Sequence, residues 1–256
     1  MTKLPPNLET FDLSDNVIEG ELILSSSASE NNPKEEEEEN VITCDLPKFL
    51  ERIVLNHNKI SGTVNLTRLP RTLQKINLAE NCIEFLEGGP TGCFRNLPPV
   101  LDSVDLTSNC LSMEDLDLSV ENLPPTLEKL HLGDNRITGR INFGNMSRNL
   151  KQLFLHRNIL WFDLMSEVEA VFVRLGNLST LDLSGNDIYC SKRNDGSDKS
   201  VLELMVSKLE SDEKEGKTVK KKMRSINLSR NYANVAEELN DGEDYFENEE
   251  FFAVQF

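Results

Sequence analysis

The chain has 256 residues, of which 38% are hydrophobic, so it is long enough for one large core or two small ones. It contains no apolar run of about 18 residues, and we therefore expect no membrane insertion. The formal net charge of −17 disfavours nucleic acid as a partner, because a phosphate backbone repels an acidic surface.

Eight short segments with the pattern LxxLxLxxNxL recur along the chain, and each predicts one short strand. Alternate residues such as Leu130 and Leu132 point to one side of that strand and predict a buried face. No single segment could bury this face alone, so the copies should stack in parallel. We number them repeats one to eight: LETFDLSDNVI from Leu8, LERIVLNHNKI from Leu50, LQKINLAENCI from Leu73, LDSVDLTSNCL from Leu101, LEKLHLGDNRI from Leu127, LKQLFLHRNIL from Leu150, LSTLDLSGNDI from Leu178 and MRSINLSRNYA from Met223.

An asparagine follows the strand in every copy. Its side-chain amide has donors and an acceptor, so it can bond the backbone of its own repeat and of the neighbouring repeat. Buried without partners, the same amide would be costly. We therefore predict a buried, hydrogen-bonded asparagine ladder formed by Asn16, Asn58, Asn81, Asn109, Asn135, Asn158, Asn186 and Asn231.

The connections between the first five copies predict turns and short strands. Leucine–proline pairs precede repeats one to five and indicate a turn into the next strand, because proline fixes φ and lacks an N–H. The segments GELIL, GTVNL and GRINF, which begin at Gly20, Gly62 and Gly139, predict second short strands. Residues 25–44 carry a net charge of −5 and predict an acidic disordered insertion.

The later connections predict helices and charged segments. The sequence MSEVEAVFVRL, residues 165–175, predicts a helix on the outer face, with Ser166 and Glu169 as its capping box. Residues 191–222 predict a second helix, SVLELMVSKLE, followed by a charged insertion. The acidic, aromatic tail 234–256 is predicted to cap the last repeat; the alternative is a short partner-binding motif.

The eight copies resemble the leucine-rich repeat family, from residue 8 to about 233. Their leucine–proline starts are similar to repeats of single-celled eukaryotes, and the glycine-containing tails are similar to plant-type repeats. The resemblance implies an α/β solenoid over residues 1–233. This would be a curved horseshoe of about eight repeats, with a parallel concave sheet and with short strands, turns and a few helices on the convex side. It also implies a non-catalytic scaffolding or protein-recognition role.

The strand residues that do not point inward should form the concave surface. Around repeats five and six this surface combines an aromatic ring with cations and imidazoles, a composition typical of interaction hot spots. We predict that a protein partner binds there. The candidate residues are Arg52, Val54, His57, Lys75, Asn77, Asp105, Lys129, His131, Gln152, Phe154, His156, Arg157 and Asp182.

No motif in the sequence indicates chemistry. Of the three histidines, only His131 and His156 lie on adjacent repeats. No carboxylate lies between them at ligand spacing, and no nucleophile motif accompanies them. We predict no catalytic residue, no metal and no cofactor.

Location and partners follow from more general features. The five cysteines are scattered without a CxxC pair, and the N-terminus lacks a secretory profile, so we predict a cytoplasmic protein. The edge of repeat one should be exposed, which suggests a further chain or a missing N-terminal part. Three alternatives stay open: an ectodomain fragment of a receptor-type leucine-rich repeat protein, an acidic regulator of basic or nuclear proteins, and an enzyme.

Overall fold

The computed structural model describes residues 2–26, 41–164, 178–189, 225–228, 231 and 253–255. Short strands dominate, and the one helical segment that lies wholly within these residues is a single 3-10 turn, Phe143–Asn145. The strands are β1 (Thr2–Lys3), β2 (Thr10–Asp12), β3 (Glu19–Ser26), β4 (Val41–Leu46), β5 (Arg52–Val54), β6 (Lys59–Val64), β7 (Lys75–Asn77), β8 (Cys82–Leu86), β9 (Ser103–Asp105), β10 (Lys129–His131), β11 (Thr138–Gly139), β12 (Gln152–Phe154), β13 (Ile159–Leu160), β14 (Thr180–Asp182), β15 (Ser225–Asn227) and β16 (Ala253–Gln255).

The concave sheet takes one parallel strand from each of the eight repeats. Its order is β2, β5, β7, β9, β10, β12, β14 and β15, followed by β16, which pairs antiparallel with β15. Equivalent residues lie opposite one another, so that Leu130 pairs with Val104 on one side and Leu153 on the other. This arrangement confirms the predicted solenoid of about eight repeats with a parallel concave sheet.

The leucines of the pattern fill the interior. In repeat five, Leu127, Leu130 and Leu132 are completely buried, and each stabilises the fold by about 2 kcal/mol. Repeat one is less complete, because Leu8 and Phe11 are only partly buried and Leu13 is 39% exposed. Complete burial of the concave-strand leucines therefore starts at repeat two.

The interior asparagines bond neighbouring repeats together. Asn135 Nδ2 donates to the carbonyls of Leu132 and Gly133 in its own repeat, at 3.1 and 3.0 Å, and to Leu106 of the preceding repeat at 3.0 Å. Its Oδ1 accepts from the Leu111 N–H at 3.0 Å. The same bonds recur at buried positions 58, 81, 109, 158 and 186, and at the half-buried position 231.

Asn16 corrects the expectation of a buried ladder at its first position. This side chain is exposed, and it donates only to Leu13 and Ser14 in its own repeat, at 3.1 and 2.8 Å. The physical reason is that no repeat of the described chain lies against its outer side, so water can solvate the amide.

The residue before each of the first seven ladder asparagines has a left-handed backbone, which the sequence reasoning did not foresee. Its φ lies between 52° and 56° in six non-glycine residues and is 63° at Gly185. Each such non-glycine conformation costs roughly 1 kcal/mol. It also aims the N–H at the next repeat, as in the 2.8 Å bond from the Asp134 N–H to the His156 carbonyl. The six residues are Asp15, His57, Glu80, Ser108, Asp134 and Arg157.

A second sheet lies outside the first three repeats, in the order β1, β4, β3, β6 and β8. Strands β3 and β4 are parallel and extend into both ends of the range 25–44, so the predicted insertion was too wide. They form because alternate side chains turn inward, which buries Leu24, Cys44 and Leu46. Residues 27–40 lie outside the described part of the chain.

The third predicted outer strand is mostly absent from the structure. GTVNL contributes to β6, but GRINF continues only the two-residue strand β11 and then enters the 3-10 turn. The equivalent described segment of repeat four forms no strand with which β11 could pair, and it contributes only the isolated bridge from Glu114 to Thr138. Asp115 Oδ1 instead accepts from the Arg140 N–H at 2.8 Å.

Each leucine–proline start forms a tight turn, as predicted. In repeat five the Leu127 N–H donates to the Pro124 carbonyl at 3.0 Å, three residues earlier. Equivalent bonds of 3.0 to 3.2 Å open repeats one to four. The prolines therefore set the entry into each concave strand.

Several predicted elements lie outside the described residues. These are the helices at 165–175 and 200–210, the capping box of Ser166 and Glu169, the range 191–222, and most of the tail. Strand β16 does lie at the end of the concave sheet where a cap would sit. A cap formed by residues 234–256 as a whole remains a prediction. The described residues contain no helix of sufficient length and hydrophobicity to span a bilayer.

Candidate interaction surface on the concave sheet

All thirteen candidate residues lie on the concave strands or on the turns that follow them. Val54 pairs with Asn77, and Asn77 pairs with Asp105, so these central positions form one row across the sheet. That row continues through His131, Phe154 and Asp182. The remaining candidates flank it: Arg52, Lys75, Lys129 and Gln152 earlier in their strands, and His57, His156 and Arg157 in the following turns.

Three rings form the centre of this surface. His131 stacks on Phe154 with a centroid separation of 4.4 Å and an interplanar angle of 12°. His156 meets Phe154 edge-on, at 6.3 Å and 63°. All three side chains are half-buried, and the buried atoms include His131 Nε2 and His156 Nδ1, neither of which has a hydrogen-bond partner among the described residues. We call His131, Phe154 and His156 the ring cluster.

Gly133 provides the space that the His156 ring occupies in the ring cluster. A Cβ atom at residue 133 would overlap the imidazole ring of His156, so the ring lies directly against the glycine backbone. Among the eight repeats, only repeat five has glycine at this position and only repeat six has histidine. The two sequence differences thus complement each other across adjacent strands.

Carboxylates from neighbouring repeats surround the imidazoles. Asp105 Oδ2 lies 3.5 Å from His131 Nδ1, and Asp134 Oδ2 lies 3.1 Å from His156 Nε2. Asp182 Oδ2 lies 4.0 Å from the other ring nitrogen of His156. Burial alone would raise the pKa of Asp105, but hydrogen bonds from His131 and Thr107 outweigh it and hold that pKa below its ordinary value.

The candidates of repeats two and three lie at least two strands away from the ring cluster. His57 Nδ1 lies 2.8 Å from Glu80 Oε2, and about half of each side chain is exposed. Asn77 Nδ2 donates to Asn56 Oδ1 at 3.3 Å. Arg52 and Lys75 lie on adjacent strands with exposed side chains.

Three residues of this surface were missing from the candidate set. Asp134 contacts both His156 and Arg157, Glu80 contacts His57, and Gly133 carries the His156 ring. Their signal was a matching position in the adjacent repeat, since Glu80 matches His57, Gly133 matches His156 and Asp134 matches Arg157. No group of three or more histidine, cysteine, aspartate or glutamate side chains in the described residues is arranged to hold a metal ion.

Comparisons with known proteins agree with this geometry. A family profile described as "Leucine Rich repeat" matches residues 124–141, within repeat five. Transforming growth factor beta activator LRRC33 of Danio rerio is 32% identical over 117 residues, which cover 46% of this chain and 16% of that protein. The chain forms a leucine-rich repeat solenoid.

Further similarities support the fold of this leucine-rich repeat protein. Podocan-like protein 1 of Homo sapiens is 33% identical over 163 residues, which cover 54% of this chain and 30% of that protein. The solved structure of the plant peptide hormone receptor RGFR1 in complex with RGF2 has a TM-score of 0.53 and 20% identity, covering 89% of this chain and 29% of that one. The chain thus spans less than a third of the length of these relatives.

Proposed function

We propose that this leucine-rich repeat protein is a non-catalytic recognition or scaffolding module that binds a protein partner through its concave sheet. The binding surface would centre on repeats four to six. The observation that carries the proposal is the ring cluster, in which Phe154 is stacked, half-buried and flanked by charged groups. Aromatic side chains in such surroundings supply most of the binding energy at many protein interfaces.

The ring cluster is also held in place before any partner arrives. His131 is stacked on Phe154, and His156 lies on the backbone of Gly133 and contacts Asp134. Side chains that are already ordered lose little conformational entropy on binding, and this favours affinity. The supporting strands belong to a continuous sheet, so the spacing between the rings is set by the repeats.

Affinity capture followed by mass spectrometry tests this proposal. The wild-type chain, the double variant His131→Ala with Phe154→Ala, and a control variant Trp161→Ala are each used as bait. Trp161 is a suitable control because it is 44% exposed and follows β13, outside the concave sheet. We expect a protein captured by the wild type and by the control but lost with the double variant. Identical sets of captured proteins for all three baits would refute the proposal.

A second candidate is a recognition module of a receptor-type or secreted leucine-rich repeat protein. It is favoured by the similarity to a protein named as a growth factor activator and by the exposed side chain of Asn145 in the sequon Asn145-Met146-Ser147. A glycan on Asn145 in protein from its natural source would favour this candidate. A free Asn145 together with accessible thiols would favour the cytoplasmic location that belongs to our first proposal.

A further inference from the structure

Charge is unevenly distributed across the concave face. We define its acidic half as the central strand position and the two turn positions before each ladder asparagine, in repeats one to seven. This half holds six carboxylates and one guanidinium, from Arg157, so its net charge is −5 with neutral histidines. In the preceding strand positions acids and bases balance, as in the Lys151–Glu128 ion pair at 2.5 Å. The six carboxylates are Asp12, Asp15, Glu80, Asp105, Asp134 and Asp182.

All three histidines of the chain lie in this acidic half, and each contacts a carboxylate of an adjacent repeat. The distances are 2.8 Å for His57 to Glu80, 3.5 Å for His131 to Asp105 and 3.1 Å for His156 to Asp134. Histidine is the side chain that ordinarily changes charge between about pH 5 and 8. Protonation of the three rings would therefore change the net charge of the acidic half from −5 to −2.

We propose that the partner presents an extended segment rich in arginine or lysine to the acidic half, and that protonation of the three histidines weakens this binding. The inference rests on the proposed function and adds the chemistry of the partner. Charge complementarity supports it, because an acidic stripe with one cation attracts a basic segment and repels an acidic one. The net charge of −17 on the whole chain adds long-range attraction for the same partner.

The ring cluster suits an arginine side chain in particular. His131 covers one face of Phe154, and Asp182 occupies the paired position on the next strand along the sheet. A guanidinium can stack on an aromatic ring while it bonds a nearby carboxylate, and its positive charge strengthens both contacts. Asp182 Oδ1 already accepts bonds from Ser184, whereas Oδ2 accepts one bond from Asn227 Nδ2 at 3.3 Å and lies 4.0 Å from His156 Nδ1.

The groups that face each histidine decide how its protonation acts. His57 faces Glu80, and His131 faces Asp105 and the Phe154 ring, with Lys129 on the same strand. His156 faces Asp134 and Asp182, while Arg157 also pairs with Asp134 at 3.1 Å. Each protonated ring would neutralise a carboxylate that the basic segment needs.

The test uses the full-length chain and a labelled peptide in which four arginines alternate with glycines. A peptide with citrulline in place of arginine has the same shape without the charge. The triple variant Asp105→Asn, Asp134→Asn and Asp182→Asn removes three carboxylates from the acidic half. Asparagine can still accept the backbone bonds that Asp105 and Asp182 receive from Thr107 and Ser184. The matched control, Glu35→Gln with Glu36→Gln and Glu37→Gln, makes the same change in net charge elsewhere.

We expect the arginine peptide to bind at about pH 7.5 and to lose about tenfold in affinity with the triple variant, but less than about twofold with the control. Affinity of the wild-type chain should fall about tenfold at about pH 5.5, and the variant His57→Gln, His131→Gln and His156→Gln should abolish this fall. Anisotropy of the labelled peptide measures each affinity, and circular dichroism verifies that each variant is folded.

If the triple variant and the control lose equal affinity for the arginine peptide, the inference is overturned, because the net charge of the whole chain would then determine the binding. Equal binding of the citrulline peptide, or an affinity of the wild type that does not change with pH, would also overturn it. If partner capture requires Phe154 but the affinity for the arginine peptide is unchanged in the triple aspartate variant, this inference fails and the proposed function stands. If the peptide result holds but capture does not depend on Phe154, the proposed function fails instead.

Discussion

Repeat one and repeat five share one sequence pattern but differ in what their side chains experience. Asn16 is exposed and bonds only its own repeat, whereas Asn135 is 7% exposed and joins repeats four and five. Leu13 is 39% exposed, whereas the equivalent Leu132 is completely buried. The pattern therefore encodes a neighbour-dependent unit, whose stability arises at the interfaces between repeats.

The candidate interaction surface follows the same rule. The stacking of His131 on Phe154 joins repeat five to repeat six, and the three histidine–carboxylate contacts each cross from one repeat to the next. A repeat without neighbours would possess the residues of the surface but not its geometry. The predictions below compare equivalent substitutions at the end and in the interior of the solenoid.

The largest difference is expected in the asparagine ladder. Asn135→Ala removes an amide that bonds both repeats and leaves buried backbone groups without partners, so it should lower the free energy of unfolding by about 3 kcal/mol. Asn16→Ala should lower it by about 0.5 kcal/mol, because its partners can bond water. Urea denaturation measures both values, and equal effects would contradict the account of the ladder.

Gly133→Ala should lower the stability of the fold through a single contact, the one between residue 133 and the His156 ring. The new methyl group overlaps the His156 ring, and the overpacking should cost about 2 kcal/mol and displace that imidazole. The His156→Ala background removes the ring, so there the same change should cost less than about 0.5 kcal/mol. Thermal unfolding of the four chains measures this coupling, and an undiminished cost in the His156→Ala background would show that another contact is responsible.

Asp105 and Asp12 occupy equivalent positions and should respond differently to acid. Both pKa values are lowered, so both ionised carboxylates stabilise the fold at neutral pH and lose that effect as the pH falls through the lowered pKa. Asp105→Asn should remove about 1 kcal/mol of stability that is present above about pH 4, because the carboxylate is largely buried and contacts His131.

The exposed Asp12 is held by Ser14 alone, and Asp12→Asn should leave the pH dependence almost unchanged. Urea denaturation at about pH 3 and at about pH 6 measures both variants. An acid profile of Asp105→Asn that matches the wild type would contradict the role assigned to the His131 contact.

The smallest predicted effect on stability comes from glycine substitutions at left-handed residues, and it should be equal in repeat one and in repeat four. Ser108 and Asp15 have φ values of 55° and 56°, and this strain is local to the residue. Ser108→Gly and Asp15→Gly should each raise the free energy of unfolding by about 0.5 kcal/mol, because relief of strain exceeds the entropy cost of glycine. A gain at only one of the two positions would show that the neighbouring repeat shares the strain.

The sequence predicted those features that repeat locally. The leucine spacing predicted the eight concave strands, and proline followed three residues later by leucine predicted the turns. It did not predict the left-handed residues, because Glu80, Ser108 and Arg157 at the same position are not types that favour such a backbone. Gly185 and the aspartates at this position carried only part of the signal.

Contacts between repeats were harder to predict, because they depend on which side chains become neighbours after stacking. Gly133 matters because the His156 ring packs against it, and Asp134 matters because it contacts His156 and Arg157. The outer connections have no constant length, so GRINF could not be assigned from the behaviour of GTVNL. Its partner segment in repeat four forms only an isolated bridge through Glu114.

The central claim is that the ring cluster is the partner-binding surface, and oxidative footprinting of the captured complex tests it most directly. Phe154, His131 and His156 react with hydroxyl radicals, and the exposed Trp161 and Phe85 outside the concave sheet serve as internal controls. The account predicts that the partner protects the ring cluster and leaves Trp161 and Phe85 as reactive as in the free chain. Protection of Trp161 or Phe85 with an unprotected Phe154 would contradict it.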